Sequence, residues 1–176
     1  STACWEAIGM AGRITKRTKA LLSSGLHPHY VSVAKTMAQY TGDRLDTALP
    51  ALSAQTDSQR LLDAIDDETS CVVVQYPDIL GRIEDMSAIA AKAHAHGALL
   101  VAVVTEPVAL GAIKAPGEMG ADIVMHSATK FIGGHSDTGE VLTAAQGLDK
   151  YITVFSSLGF VLVGISVLIM IFNKPL

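Results

Sequence analysis

Cysteine is scarce in this chain of 176 residues, which carries only Cys4 and Cys71. Two cysteines build no disulfide framework, and no CxxC spacing is present to hold zinc. Cys71 opens an apolar run and reads as a buried core residue. A charged N-terminal region followed by an apolar stretch is also missing, so no signal peptide is expected. The globular part is therefore expected in a reducing, cytoplasmic compartment. Positive charge is in deficit: 13 Lys and Arg against 17 Asp and Glu leave −4, and nucleic acid is not an expected partner. The basic cluster Arg13, Lys16, Arg17 and Lys19 reads as the solvated face of one early helix. No GxSxG, Walker-type loop or GxGxxG occurs.

What is present is an alternation of apolar strands and amphipathic helices. Ser1 or Thr2 can cap a helix running to about Lys19, with Trp5, Ile8 and Gly12 on one side. "KALLSSGLHPHY" predicts a short strand, a turn at Ser23-Ser24-Gly25, and a helix from Pro28 to about Tyr40. Residues 42–57 carry weak signals, one strand and a loop around Pro50. "DSQRLLDAIDDET" predicts a helix with Leu61, Leu62 and Ile65 inward.

"SCVVVQYP" is a β-branched run ended by proline, as in a strand buried on both faces. "EDMSAIAAKAHAHG" follows as a helix stopping at Gly97, and "ALLVAVV" and "GADIVMHS" are two more strands. The pattern predicts an α/β three-layer sandwich with a mainly parallel sheet in a domain over 1–150.

Residues 151–176 are set apart as an apolar tail. Ile152 to Phe172 contains no charge and would span about 31 Å as a helix, the thickness of a bilayer core. Hydropathy favours a transmembrane or membrane-associated helix. The alternative is a buried C-terminal helix or a pair of strands, since Ser156, Ser157, Gly159 and Gly164 interrupt the run.

"HSATKFIGGH" places Lys130 between small hydroxyl residues and a Gly-Gly pair. A lysine whose surroundings lower its pKa can hold an aldehyde cofactor as a Schiff base. Pyridoxal phosphate then needs an anion site, a partner for its ring nitrogen and a face to stack on. Ser127 and Thr129 can donate to the phosphate, and Ser1 and Thr2 can offer free N–H groups at a helix N-terminus. An acid for the ring nitrogen belongs near the end of "LLVAVV", where the nearest is Glu106. The histidines point elsewhere: His94 and His96 are two apart and cannot share a metal from one helix. His27 and His29 sit in a turn and can approach a substrate, whereas His126 reads as packing.

"STACWEAIGMAGRITKR", "LLSSGLHPHY", "VVVQYPDILGRIEDM" and "AHAHGALLVAVVTEPVALGAIKAPGEMGADIV" follow one another collinearly. Over residues 1 to about 124 the chain resembles the first subunit, or N-terminal half, of the glycine cleavage system P-protein, a glycine dehydrogenase (decarboxylating). Locally, "GADIVMHSATKFIGGHSD" resembles the cofactor-lysine segment of the Cys/Met-metabolism enzymes.

The first resemblance implies part of a fold-type I large domain, pyridoxal 5'-phosphate as cofactor and glycine as substrate. It also implies a second P-protein subunit and the lipoyl H-protein as partners, in a homo- or hetero-oligomer. In that family the cofactor lysine belongs to the second subunit or half; the Cys/Met motif instead implies Lys130 as the Schiff-base lysine, with Ser127 and Thr129 on the phosphate. A partial large domain is expected to need further strands, a small domain and a partner before it can act. Two other readings stay open: a Cys/Met-type lyase or transferase, and a noncatalytic α/β binding or scaffold protein tethered to a membrane.

Overall fold

The computed structural model describes residues 2–48 and 57–126. Helices α1 (Thr2–Thr15), α2 (Pro28–Thr41), α3 (Ser58–Ala64) and α4 (Ser87–Ala95) alternate with strands β1 (Lys19–Leu22), β2 (Arg44–Thr47), β3 (Thr69–Gln75), β4 (Leu99–Val104) and β5 (Ile123–His126). The strands form one sheet in the order β2-β1-β3-β4-β5, and every pairing is parallel. The expected α/β sandwich with a mainly parallel sheet is therefore present. The apolar run 152–172, expected to form a helix across or on a membrane, lies outside the described residues. Among the described residues, no helix is long and apolar enough to cross a membrane.

Alternation along the strands sorts the core into two layers. Cys71 and Val73 of β3 and Val101 and Val103 of β4 pack under α1 and α2 with Cys4, Trp5 and Ile8. Their neighbours Val72, Val74, Leu100 and Ala102 pack under α3 and α4 with Leu61, Ile89 and Ala93. Fully burying one such Val, Leu or Ile side chain stabilises by about 1.5–3 kcal/mol. β3 is buried at all seven positions: the apolar run 71–74 is flanked by the buried polar residues Thr69, Ser70 and Gln75.

Several boundaries differ from the sequence reading. α1 stops at Thr15, not near Lys19, because Lys16 adopts the left-handed conformation at φ 57°. Arg17 N–H then donates to Gly12 O at 3.2 Å, closing the helix end. β1 begins at Lys19, so the basic cluster does not share a helix face. Arg17 Nη1 donates to Thr69 O at 2.9 Å and to His96 O at 2.6 Å. Lys19 Nζ donates to Ala64 O at 3.1 Å and to Asp66 Oδ2 at 2.6 Å.

These two cations join α1 and β1 to the amino-terminal edge of the sheet, and are not merely solvated. Arg17→Met is expected to lower stability by about 2–3 kcal/mol, since carbonyls bonded to a charged donor lose it. Urea unfolding of the variant checks this; a change below about 0.5 kcal/mol would make the two bonds ornamental.

Elsewhere α3 ends at Ala64, and Ile65 is already extended at ψ 124°. Gly97 has the left-handed φ of 68° expected of it. After β4 the chain makes two 3₁₀ turns, Pro107–Gly111 and Pro116–Met119, which the sequence did not announce. Gly120 closes the second at φ 90°, and a Cβ there would lie 2.8 Å from Ala90 Cβ.

Candidate functional site

An open parallel sheet binds ligands beyond the carboxyl ends of its strands, where the strand order reverses. Here the chain passes outward from β1 to β2, then returns across β1 to β3. The reversal lies between β1 and β3, so Ser23-Ser24-Gly25 and Gln75-Tyr76 stand at that point. The Tyr76–Pro77 peptide bond is cis.

α1 brings its N-terminus to the same edge. Its far end is fixed at the amino-terminal edge through Arg17, which bonds the first carbonyl of β3 and a carbonyl preceding β4. Fourteen residues span about 21 Å as a helix, close to the length of β4. Thr2 is thereby at the carboxyl edge, and it is exposed. First-turn N–H groups and the helix dipole suit an anion there.

The turn after β1 is held from three sides. Asp57 accepts from Ser23 Oγ at 2.8 Å, from Ser24 N–H at 2.8 Å and from Arg60 Nη2 at 2.7 Å. Burial opposes ionisation of Asp57, but these donors outweigh it and hold the carboxyl below its usual range. Arg60 also donates to Leu22 O at 2.7 Å and to Asp46 at 3.0 Å. Gly25 lies so close to Asp78 that a Cβ would come within 2.8 Å of Asp78 Cβ. Asp78 is itself paired with Arg82 Nε at 2.5 Å.

Gln75 completes the seat. Its Oε1 accepts from His27 N–H at 2.9 Å, which fixes the entry to α2. His27 caps that helix, its Nδ1 accepting from His29 N–H at 3.1 Å, so any ring proton is on Nε2. The rings of His27 and His29 lie 4.9 Å apart, and both residues stand at the carboxyl edge. Sequence reasoning left Gln75 and Asp57 unmarked. An amide ending a buried strand and an acid just before a helix were the available signals.

Of the predicted site residues, Ser1, Ser127, Thr129 and Lys130 lie outside the described residues, and Thr2 alone is placed. β5 ends at His126, paired in register with Val104. His94 and His96 diverge as expected, to Asp122 at 2.8 Å and Asp67 at 2.7 Å. Among the described residues, no group of three His, Cys, Asp or Glu is arranged for a metal.

Pyridoxal phosphate would find an anion-compatible end at α1. For its ring nitrogen β4 offers no acid: Val103 and Val104 are 0% and 1% exposed, and half-buried Glu106 begins the first 3₁₀ turn. The described residues thus fit the phosphate and leave the ring without its acid.

Comparison with known proteins places this arrangement. The family profile of the glycine cleavage system P-protein matches residues 1–134. The probable glycine dehydrogenase (decarboxylating) subunit 1 of Novosphingobium aromaticivorans is 70% identical over 125 residues, which cover 71% of this chain and 28% of that protein. Its namesake in Rhizorhabdus wittichii is 70% identical over 128 residues with the same coverage. The chain therefore spans a little over a quarter of the length of these curated relatives.

Among solved structures, a glycine decarboxylase (P-protein) of the glycine cleavage system in inhibitor-bound form is 36% identical at a TM-score of 0.66, with 80% of this chain and 30% of that one covered. Cystathionine gamma-lyase from Lactobacillus plantarum complexed with L-serine is 23% identical at a TM-score of 0.56, covering 83% and 38%, a likeness of fold alone. With three quarters of the sequence inside one family profile and the matching sheet and helices beneath it, this chain belongs to the glycine cleavage system P-protein family.

Proposed function

We propose that this chain is part of the large domain of a pyridoxal-phosphate-dependent glycine decarboxylase. Glycine is the substrate, and a second P-protein subunit and the lipoyl H-protein are the partners of the complete enzyme. The observation that supports this most is the α1 N-terminus at the carboxyl edge of the sheet, inside a stretch 70% identical to glycine dehydrogenase subunits.

When bound, the cofactor would supply a sink for the electron pair left as glycine's carboxylate departs as carbon dioxide. Lys130 would hold it through its amine, and the hydroxyls of Ser127 and Thr129 would donate to its phosphate. Ser1 and Thr2 would add N–H groups and a hydroxyl at the helix end, where the dipole favours the anion. Asp57, Gln75 and His27 fix the turn and helix entry that border the site. The ring-nitrogen acid is assigned to no residue of β4.

The test is covalent trapping. The full chain with pyridoxal phosphate, reduced by borohydride and digested, is expected to carry the adduct on Lys130 in preference to other lysines. Inorganic phosphate should compete, and Lys130→Ala should lose the adduct. Folded protein without preferential labelling at Lys130 would remove that residue from the cofactor's chemistry.

A further inference from the structure

On the α3/α4 face of the sheet, opposite α1, a cleft opens at the carboxyl ends of β1 and β3. Its floor is apolar, made by Leu61, Val74, Met86 and Ile89, and its rim carries Asp57, Asp78, Glu84 and Asp85. It stands at the reversal of strand order, where such sheets take ligands. Asp57 and Asp78 are neutralised by Arg60 and Arg82. Glu84 accepts from Ser58 Oγ at 2.8 Å and Asp85 from Ser87 N–H at 2.8 Å, so both are oriented. Neither forms an ion pair among the described residues; Asp85 feels Lys114 only through space.

Tyr76 supplies the second, independent observation. It is 4% exposed and lines the cleft, yet its hydroxyl makes no hydrogen bond among the described residues. Every fully enclosed side-chain nitrogen or oxygen among those residues has a partner. The phenol oxygen therefore keeps some surface of its own, on a residue that lines the cleft and whose phenol feels the Asp85 charge. A hydroxyl without a partner among the described residues has capacity both to accept and to donate.

We propose that this cleft binds a primary alkylammonium group, either a free amine or the side chain of a lysine. The ammonium N–H groups donate to Tyr76 Oη and to the Glu84 and Asp85 carboxylates, and the first carbons lie on the apolar floor. Two unneutralised carboxylates disfavour phosphate, carboxylate and an amino-acid zwitterion alike. The absence of a three-ligand group among the described residues disfavours a metal ion. Size excludes a cofactor ring: the volume is about 40 Å³, room for roughly three waters. Burial and the Asp85 charge both push the Tyr76 phenol up in pKa, which keeps it neutral and able to accept from a cation. The inference stands apart from the decarboxylase reading, since Tyr76, Glu84 and Asp85 are given no part in holding the cofactor.

The experiment uses the full chain with ¹³C-labelled tyrosine, titrated with ethylammonium chloride at constant ionic strength. One tyrosine resonance is expected to move saturably, and Tyr76→Phe should remove that signal. Glu84 and Asp85 are exposed, so Glu84→Gln and Asp85→Asn keep the fold. Each is expected to weaken binding at least about threefold, the loss of one exposed charge contact. An Nα-acetyl-lysine amide arm separates the sources: tighter binding than ethylammonium assigns a lysine side chain, and weaker binding a free amine. A response that fails to saturate, is matched by sodium chloride or acetate, or is unchanged in Asp85→Asn would overturn the proposal.

Discussion

Val103→Asp is expected to lower stability by more than about 4 kcal/mol at pH 7, because it buries a carboxylate with nothing to pair it. Val103 is 0% exposed and packs in the layer that holds Cys4, Trp5 and Ile8 beneath α1. Among the described residues, no Lys or Arg is buried in that layer. Desolvation would raise the new carboxyl's folded pKa above its unfolded value. Such a group costs least below the unfolded pKa and more as pH rises through and beyond it. Urea midpoints at pH 4 and pH 7 should therefore diverge further for this variant than for the parent chain.

Val103→Thr, nearly isosteric, isolates the polar part at about 1–3 kcal/mol. A Val103→Asp loss under about 1 kcal/mol at pH 7 would mean that β4 can host a ring-nitrogen acid after all. The experiment thus weighs the one cofactor requirement that the described residues do not meet.

Asp57→Ala is expected to cost about 3 kcal/mol near neutral pH, since one substitution takes an acceptor from an arginine, a hydroxyl and a backbone N–H. Its side chain is 14% exposed, so solvent replaces little of what is lost. The folded pKa is depressed from 3.8. The contribution is consequently whole above that value and disappears as pH falls through the lower folded one. Parent and variant should converge in acid, as followed by urea unfolding from pH 7 to pH 2. An acid slope will persist in the variant, because Asp66, bonded to Lys19, is lowered to about 2. A gap independent of pH would mean that Asp57 acts by packing and not by charge.

The sheet was legible in the sequence because β3 and β4 are continuous β-branched and apolar runs, and Gly97 marked the end of α4 by its freedom at positive φ. α1 was read too long because its stop is Lys16, a residue without the glycine signature. Arg17 and Lys19 were read as solvated because their partners are 45 to 79 residues away, and no local pattern reports such distances. Asp57 and Gln75 were missed for the same reason: each acts on the turn after β1 from another element. Family text disclosed the cofactor class, whereas Val103 at a sealed position under α1 is visible only once the helix is in place.

Burial of the sheet on both sides has a consequence for how its strands find their alignment. Where one face meets water, a slip by one residue exposes the apolar set and is penalised. β3 and β4 carry apolar residues on both faces, so the same slip would exchange valine for valine at little cost. Alignment information must therefore reside in polar groups at the strand ends. Ser70 Oγ donates to Lys19 O at 2.7 Å, Asp122 Oδ2 accepts from Leu100 N–H at 2.7 Å, and Ser23 N–H donates to Val73 O at 2.9 Å. These few bonds act as index marks between neighbours that greasy side chains alone would leave interchangeable.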